Sequence, residues 1–259
     1  MTTSAASTFE AGVRYEQDGP VASVTLSRPD VLNAQTPAMW AELGNISRKL
    51  PGDVRVVIVR GEGRAFSAGL DLSVARGDGD SSLAALARLT ESESAERIAS
   101  FQDAFTWLRR PSLVTIAAVH GHAIGAGFQL ALNCDMRVLA EDARFAMAEV
   151  TLGLVPDLGG TKRLTELVGP ARALEICLTG RRLDAGEADR IGLATAVVPV
   201  SELDAAVRDV TAAVLAAPAG AVAEIKALLA GATGRSYDQQ DRAEREAQTR
   251  RLRDLAGLE

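Results

Sequence analysis

The sequence predicts an α/β fold with a parallel sheet, followed by a purely helical C-terminal region. Two observations predict it. Up to about residue 200, strand-length runs of Val, Ile, Leu and Ala alternate with helix-length segments of mixed polarity, the pattern of parallel β/α units. From Ser201 onward only helical patterns remain: "SELDAAVRDVTAAVLAAP", "AGAVAEIKALLAG" and the charged "YDQQDRAEREAQTRRLRDLAGLE". The chain thus divides into a core over residues 1–200 and a helical region over residues 201–259. Aromatics make up 4% of the 259 residues against 47% hydrophobic, so small aliphatic side chains must fill the core.

Each element follows in order. "PVASVTLSRP" alternates as a strand and stops at Pro29. "NAQTPAMWAELGNISRKLPG" reads as a helix, with Thr36 as N-cap, Pro37 at its first position and Pro51-Gly52 ending it. "VRVVIVRGEG" is a short buried strand closed by a Gly turn. The loop "ARGDGDSS" leads into a helical stretch from about Leu83 to Arg110. "PSLVTIAAVHG" and "DMRVLAED" are two further strands. Only the first ten or so residues are expected to lack order.

Composition excludes several function classes. A net charge of −6 and a pI near 5.2 argue against a general nucleic-acid binder. Cys134 and Cys177 have no metal-type spacing, and His120 and His122 have no carboxylate or cysteine at a ligand spacing, so no metal site is expected. The start "MTTSAASTFEAG" lacks the basic and apolar regions of a signal peptide, and no run of about eighteen apolar residues occurs to span a membrane. A reduced, cytoplasmic chain is the expectation.

Two stretches carry candidate chemistry. "RAFSAGLDL" follows a strand and contains small residues at Ser67, Ala68 and Gly69. "GHAIGAGFQLALNCD" places Gly125, Ala126 and Gly127 between a strand and an apolar helix. Backbone N–H groups can be approached only where side chains are small, and a helix start leaves N–H groups free. Two such donors converging on one point would form an oxyanion hole. Each stretch alone is equally readable as a tight turn.

Three further stretches, "LSRPDVLNAQT", "FAMAEVTLGLVPDLGGTKRL" and "LTGRRLDAGEADRIGLATAVVP", fall in an order and spacing that, with the first two, resemble the enoyl-CoA hydratase/isomerase (crotonase) family. The resemblance runs from about Val13 to Pro199 and is weak in the helical tail. It implies a spiral of ββα units with a C-terminal helical trimerisation region, and a homotrimer or dimer of trimers. It implies acyl-CoA thioester substrates whose enolate is stabilised, with coenzyme A as part of the substrate and no separate cofactor. Ala68 and Ala126 stand at its two oxyanion positions. Arg28, Ala65, Phe66, Ser67, Gly69, Leu70, Asp71 and Gly125 stand along the CoA and thioester path. Arg250, Arg251 and Arg253 stand where basic residues can meet CoA phosphates.

The acids point to the reaction. Hydratases of the family use two glutamates; the second position is Glu149, but the first is Gln129, and an amide is neither acid nor base at neutral pH. Isomerases that shift a double bond need a single carboxylate at the position of Glu149. The resemblance therefore favours isomerisation over hydration, with an acyl-CoA-binding protein without turnover as the alternative from another class. Asp157 is open to two readings: a further acid, or the N-cap of the helix "LGGTKRLTELVG". Gln129 facing the core and Glu149 in a structural ion pair are the corresponding plain readings of those two side chains.

Overall fold

The computed structural model describes residues 7–8, 11–77, 79 and 82–258. The expectation of a chain start without order lies largely outside these. Strands β1 (Ser7–Thr8), β2 (Val13–Asp18) and β3 (Val21–Leu26) form an antiparallel meander. Helix α1 (Pro37–Lys49) starts with Thr36 accepting from the Met39 N–H and Pro37 at its first position, as predicted. Strand β4 (Val56–Gly61) returns parallel to β3. After α2 (Leu72–Arg76) and α3 (Leu83–Ala87), helix α4 (Glu91–Thr106) leads to β5 (Val114–Val119), parallel to β4. Strand β6 (His122–Ile124), helix α5 (Ala126–Asn133), β7 (Met136–Ala140) and β8 (Arg144–Ala146) follow. Helices α6 (Gly160–Val168) and α7 (Pro170–Thr179), strand β9 (Leu183–Asp184), helix α8 (Ala185–Arg190) and β10 (Ala196–Val198) complete the α/β part.

These strands form a seven-stranded sheet in the order β1-β2-β3-β4-β5-β7-β10, parallel from β3 onward, and a second sheet in the order β6-β8-β9. The apolar runs of β4 and β5 follow from burial on both faces. Val57, Val59, Ala117 and Val119 face one core, with α1, α4 and α5, while Val56, Ile58, Val114 and Ile116 face a second. That second core is closed by α9 (Leu203–Ala216), whose Leu203 and Val207 lie against the sheet. The division expected at residue 200 thus falls just before a helix that covers the sheet.

Two departures from the sequence reading have local causes. The stretch from Leu83 to Arg110 is not one helix. Thr90 and Glu93 form a capping box that starts α4 afresh, and Trp107–Arg109 tightens into a 3₁₀ turn. The segments β6, β8 and β9 have two or three residues each, too few to show a period.

Helices α10 (Ala219–Ala232) and α11 (Tyr237–Leu255) follow. Arg250 forms a two-point ion pair with Glu224 at 2.6 and 2.8 Å, and Arg251 pairs with Asp254 at 2.5 Å. Both guanidinium groups are engaged within the chain. Helix α10 is tied to the sheet through Lys226, whose Nζ donates to the Leu113 carbonyl and to Asp135, both at 2.7 Å. Replacing Lys226 by Met leaves the largely buried Asp135 without its cation, and is expected to cost about 3 kcal/mol. A lowered denaturant midpoint at unchanged slope checks it. Among the described residues, no single helix is long and apolar enough to cross a membrane.

Candidate active site

Two loops meet backbone to backbone beside the second sheet. Ser67 N–H donates to the His122 carbonyl at 2.8 Å, and Ile124 N–H donates back to Ser67 at 3.0 Å. Gly69, at φ 90°, has no room for a side chain: a Cβ would lie 2.6 Å from the Ile124 carbonyl oxygen. A Cβ on Gly127 would lie 2.8 Å from Ser67. Gly125, at φ 50° and ψ −117°, turns the chain from β6 into α5 through a conformation that side-chain-bearing residues avoid. The predicted small residues are thus explained by close approach. Gly69→Ala combines a clash with a left-handed φ and is expected to destabilise the fold by about 1–3 kcal/mol, measured as a loss of thermal midpoint.

Ser67 braces this contact. Its hydroxyl donates to the Asn33 carbonyl at 2.8 Å and accepts from Gln35 Nε2 at 3.1 Å and from Gly69 N–H at 3.2 Å. Gln35 is in turn held by Trp40 Nε1 at 2.8 Å.

The two free donors are not quite those the sequence reading named. Ala68 N–H is spent, donating to the Leu32 carbonyl at 2.8 Å. The N–H groups of Leu70 and Ala126 have no acceptor among the described residues. Leu70 therefore replaces Ala68 as the first donor. The spacing could not reveal this, because it depends on which N–H the Leu32 carbonyl, just after a 3₁₀ turn at Pro29–Val31, accepts from.

Both donors line a cavity of about 510 Å³. Ala68, Gly69, Leu70, Gly125 and Ala126 form one wall, and Gln129, Glu149 and Asp157 supply polar groups. Trp40, Leu83, Leu86, Ile98 and Phe101 form an apolar end. The segment between Ser73 and Glu96 contributes Arg76, Leu83 and Leu86. Ala65, Phe66 and Ser67 lie behind the wall, fully buried. Arg28 and Asp71 pair at 2.8 Å; Arg28 also donates to the Ala34 carbonyl at 2.6 Å, and Asp71 caps α2 through Ser73. These five hold the loop's shape rather than line the cavity.

The acid wall is more ordered than the sequence suggests. Gln129 is fully buried. Its Oε1 accepts from Leu158 N–H at 2.8 Å and from Gly160 N–H at 3.3 Å, and its Nε2 donates to Glu149 Oε1 at 2.7 Å. Glu149 sits on the turn Ala148–Leu152 after β8; among the described residues it is in no ion pair, and its Oε2 is buried without a partner. Burial pushes the Glu149 carboxyl above its ordinary range, against the pull of the Gln129 hydrogen bond. Burial raises Asp157 too. Asp157 does not cap α6: Gly159 is the N-cap there, with no side-chain bond. Asp157 lines the cavity and is among the groups that raise Glu149. A buried carboxylate opposite two open N–H groups can take a proton while a developing oxyanion is held.

This architecture defines the crotonase fold class. A Thermobifida fusca chain provisionally named enoyl-CoA hydratase, solved with CoA, superposes at a TM-score of 0.89, with 50% identity and coverage of 96% of this chain and 95% of that one. Its complex with acetoacetyl-CoA gives 0.89 at 49% identity over 94% and 96%. The profile of the enoyl-CoA hydratase/isomerase family matches residues 16–254. A Mycobacterium tuberculosis chain, provisionally an enoyl-CoA hydratase, is 36% identical over 76% of this chain and 72% of its own. A peroxisomal Δ(3,5)-Δ(2,4)-dienoyl-CoA isomerase of Arabidopsis thaliana is 37% identical over 79% and 74%. The chain belongs to the enoyl-CoA hydratase/isomerase family and is an enzyme of that family.

Proposed function

We propose that this enzyme isomerises enoyl-CoA thioesters, with Glu149 as the single proton carrier. The observation that carries the reading is the state of Gln129, a buried amide fixed as a donor to Glu149, which leaves the site without the second glutamate that hydration uses. A 3-enoyl thioester enters with its carbonyl oxygen at the Leu70 and Ala126 N–H groups. Glu149 takes a proton from C2, and the electron pair moves through C1 onto that oxygen, giving a dienolate that the C3–C4 double bond extends by conjugation to C4. The same proton returns to C4, leaving the double bond between C2 and C3. Substrate recognition through CoA is supported by the CoA and acetoacetyl-CoA complexes of the Thermobifida fusca chain. The reading includes a homotrimer or dimer of trimers, which sedimentation velocity tests, and no cofactor beyond the CoA of the substrate.

Hydration is the second reading, favoured by Asp157, a second acid lining the cavity that could help to place a water. The test is incubation with a medium-chain 3-enoyl-CoA, followed by mass and retention. An isomer of unchanged mass supports isomerisation. A product heavier by one water supports hydration. Tight acyl-CoA binding with no product would make the protein a binder without turnover.

A further inference from the structure

Behind Gln129 lies a cation that has no carboxylate partner among the described residues. Arg109, on the 3₁₀ turn after α4, donates from Nε to Asn133 Oδ1 at 2.7 Å and from Nη2 to the Gly159 carbonyl at 2.8 Å. It is in no ion pair among the described residues, and burial pushes its guanidinium below the ordinary value. Spending a half-buried charge on neutral acceptors is costly unless their placement matters.

What those acceptors place is Gln129. Because Asn133 Oδ1 receives Arg109, its Nδ2 must face the other way, and it donates to the carbonyls of Gln129 at 2.7 Å and Leu158 at 3.1 Å. The turn from Leu158 to Gly160, held at Gly159 by Arg109, presents the two N–H groups that bind Gln129 Oε1. The paired glycines of "DLGGTK" follow from this packing. A Cβ on Gly159 would sit 2.3 Å from Arg109 Nη2, and one on Gly160 would sit 2.7 Å from Gln129 Cγ.

We propose that Arg109 and Asn133 are positioning residues that lock the Gln129 amide as a donor to Glu149, so that only Oε2 of Glu149 exchanges protons with substrate. This rests on Glu149 as the proton carrier. A free amide could rotate its oxygen toward Glu149, or the turn could drift from it; the lock prevents both. The other ionisable groups near this chain of contacts are Asp157 and Cys177 around Glu149, and Arg163 and Glu166 of α6 around Arg109.

The test is carbon-13 NMR titration of the Glu149 carboxyl in the full chain, assigned with Glu149→Gln, together with kcat/KM against pH. The variants are Arg109→Lys, Arg109→Gln and Asn133→Ser. Arg109→Lys keeps the charge but cannot hold both acceptors, and Asn133→Ser keeps Arg109 and serves if the Arg109 variants fail to fold. The Glu149 midpoint is expected to rise by roughly one pH unit in every folded variant, the size of one charge-assisted hydrogen bond. The acid limb of kcat/KM should rise with it, at a KM within about two-fold of wild type. A midpoint that stays fixed in folded variants, with only thermal stability lowered, overturns the lock. The titration needs no turnover: absence of isomerisation in the wild type would sink the proposed reaction and leave the lock to be decided by NMR.

Discussion

Glu149→Gln is expected to lower kcat by a hundred- to ten-thousand-fold while acyl-CoA affinity stays near wild type. The variant removes the carboxylate that Gln129 donates to and leaves both open N–H groups in place. Steady-state kinetics with a 3-enoyl-CoA and calorimetry with a saturated acyl-CoA separate the two effects. Full turnover in the variant would remove Glu149 from the mechanism. The pH profile has a definite sign. The base form is lost as pH falls through a raised pKa, so kcat/KM should decline at a higher pH than an ordinary glutamate, near 4.3, would give. Stability runs the opposite way. A raised folded pKa favours the neutral acid, so its contribution is present below the unfolded pKa and fades as pH rises through the folded one. Glu149→Gln should therefore be more stable than wild type at pH 7–8, and the difference should vanish near pH 4.

Gln129→Glu is the converse experiment. The new carboxyl can accept the same two N–H bonds from Leu158 and Gly160, but its second oxygen would stand 2.7 Å from Glu149 Oε1. Two carboxylates at that distance cannot both ionise, so one proton is shared and one group becomes an acid. Hydration of a 2-enoyl-CoA should rise by about a hundred-fold or more over wild type. The measurement is the appearance of a product heavier by one water. A folded variant that hydrates no faster would show that the number of acids does not set the reaction here.

How much of this was readable beforehand depended on what each feature is made of. The strands β3, β4, β5 and β7 and helix α1 declared themselves through apolar runs and a Thr-Pro start. The glycines at 69 and 127 marked close approach, and the structure has them where backbones touch, while Gly125 supplies the left-handed turn into α5. Glu149 and Gln129 were placed on one cavity wall, as the motifs implied. The choice between Ala68 and Leu70 was not readable, because a backbone N–H has no sequence signature of its own. It turns on the Leu32 carbonyl, at a residue with φ 53°, reaching Ala68 first. Arg109 and Asn133 were missed for a related reason. Arg109 meets Asn133 and Gly159 only once α5, the turn after α4 and the start of α6 come together, and a lone Arg and a lone Asn 24 positions apart have no pattern to notice.

The hole made by Leu70 and Ala126 is built from main chain, and that separates two kinds of heritable change. No exchange of one side chain deletes a peptide N–H, short of proline, so the proposed capacity to hold an enolate would be inherited with the chain's path. The acid wall is inherited one residue at a time. Glutamine and glutamate codons differ in a single base, so a lineage can move between one acid and two at position 129 by one nucleotide step. Arg109, Asn133 and the glycine pair would remain in place behind either residue, ready to orient whichever the codon specifies.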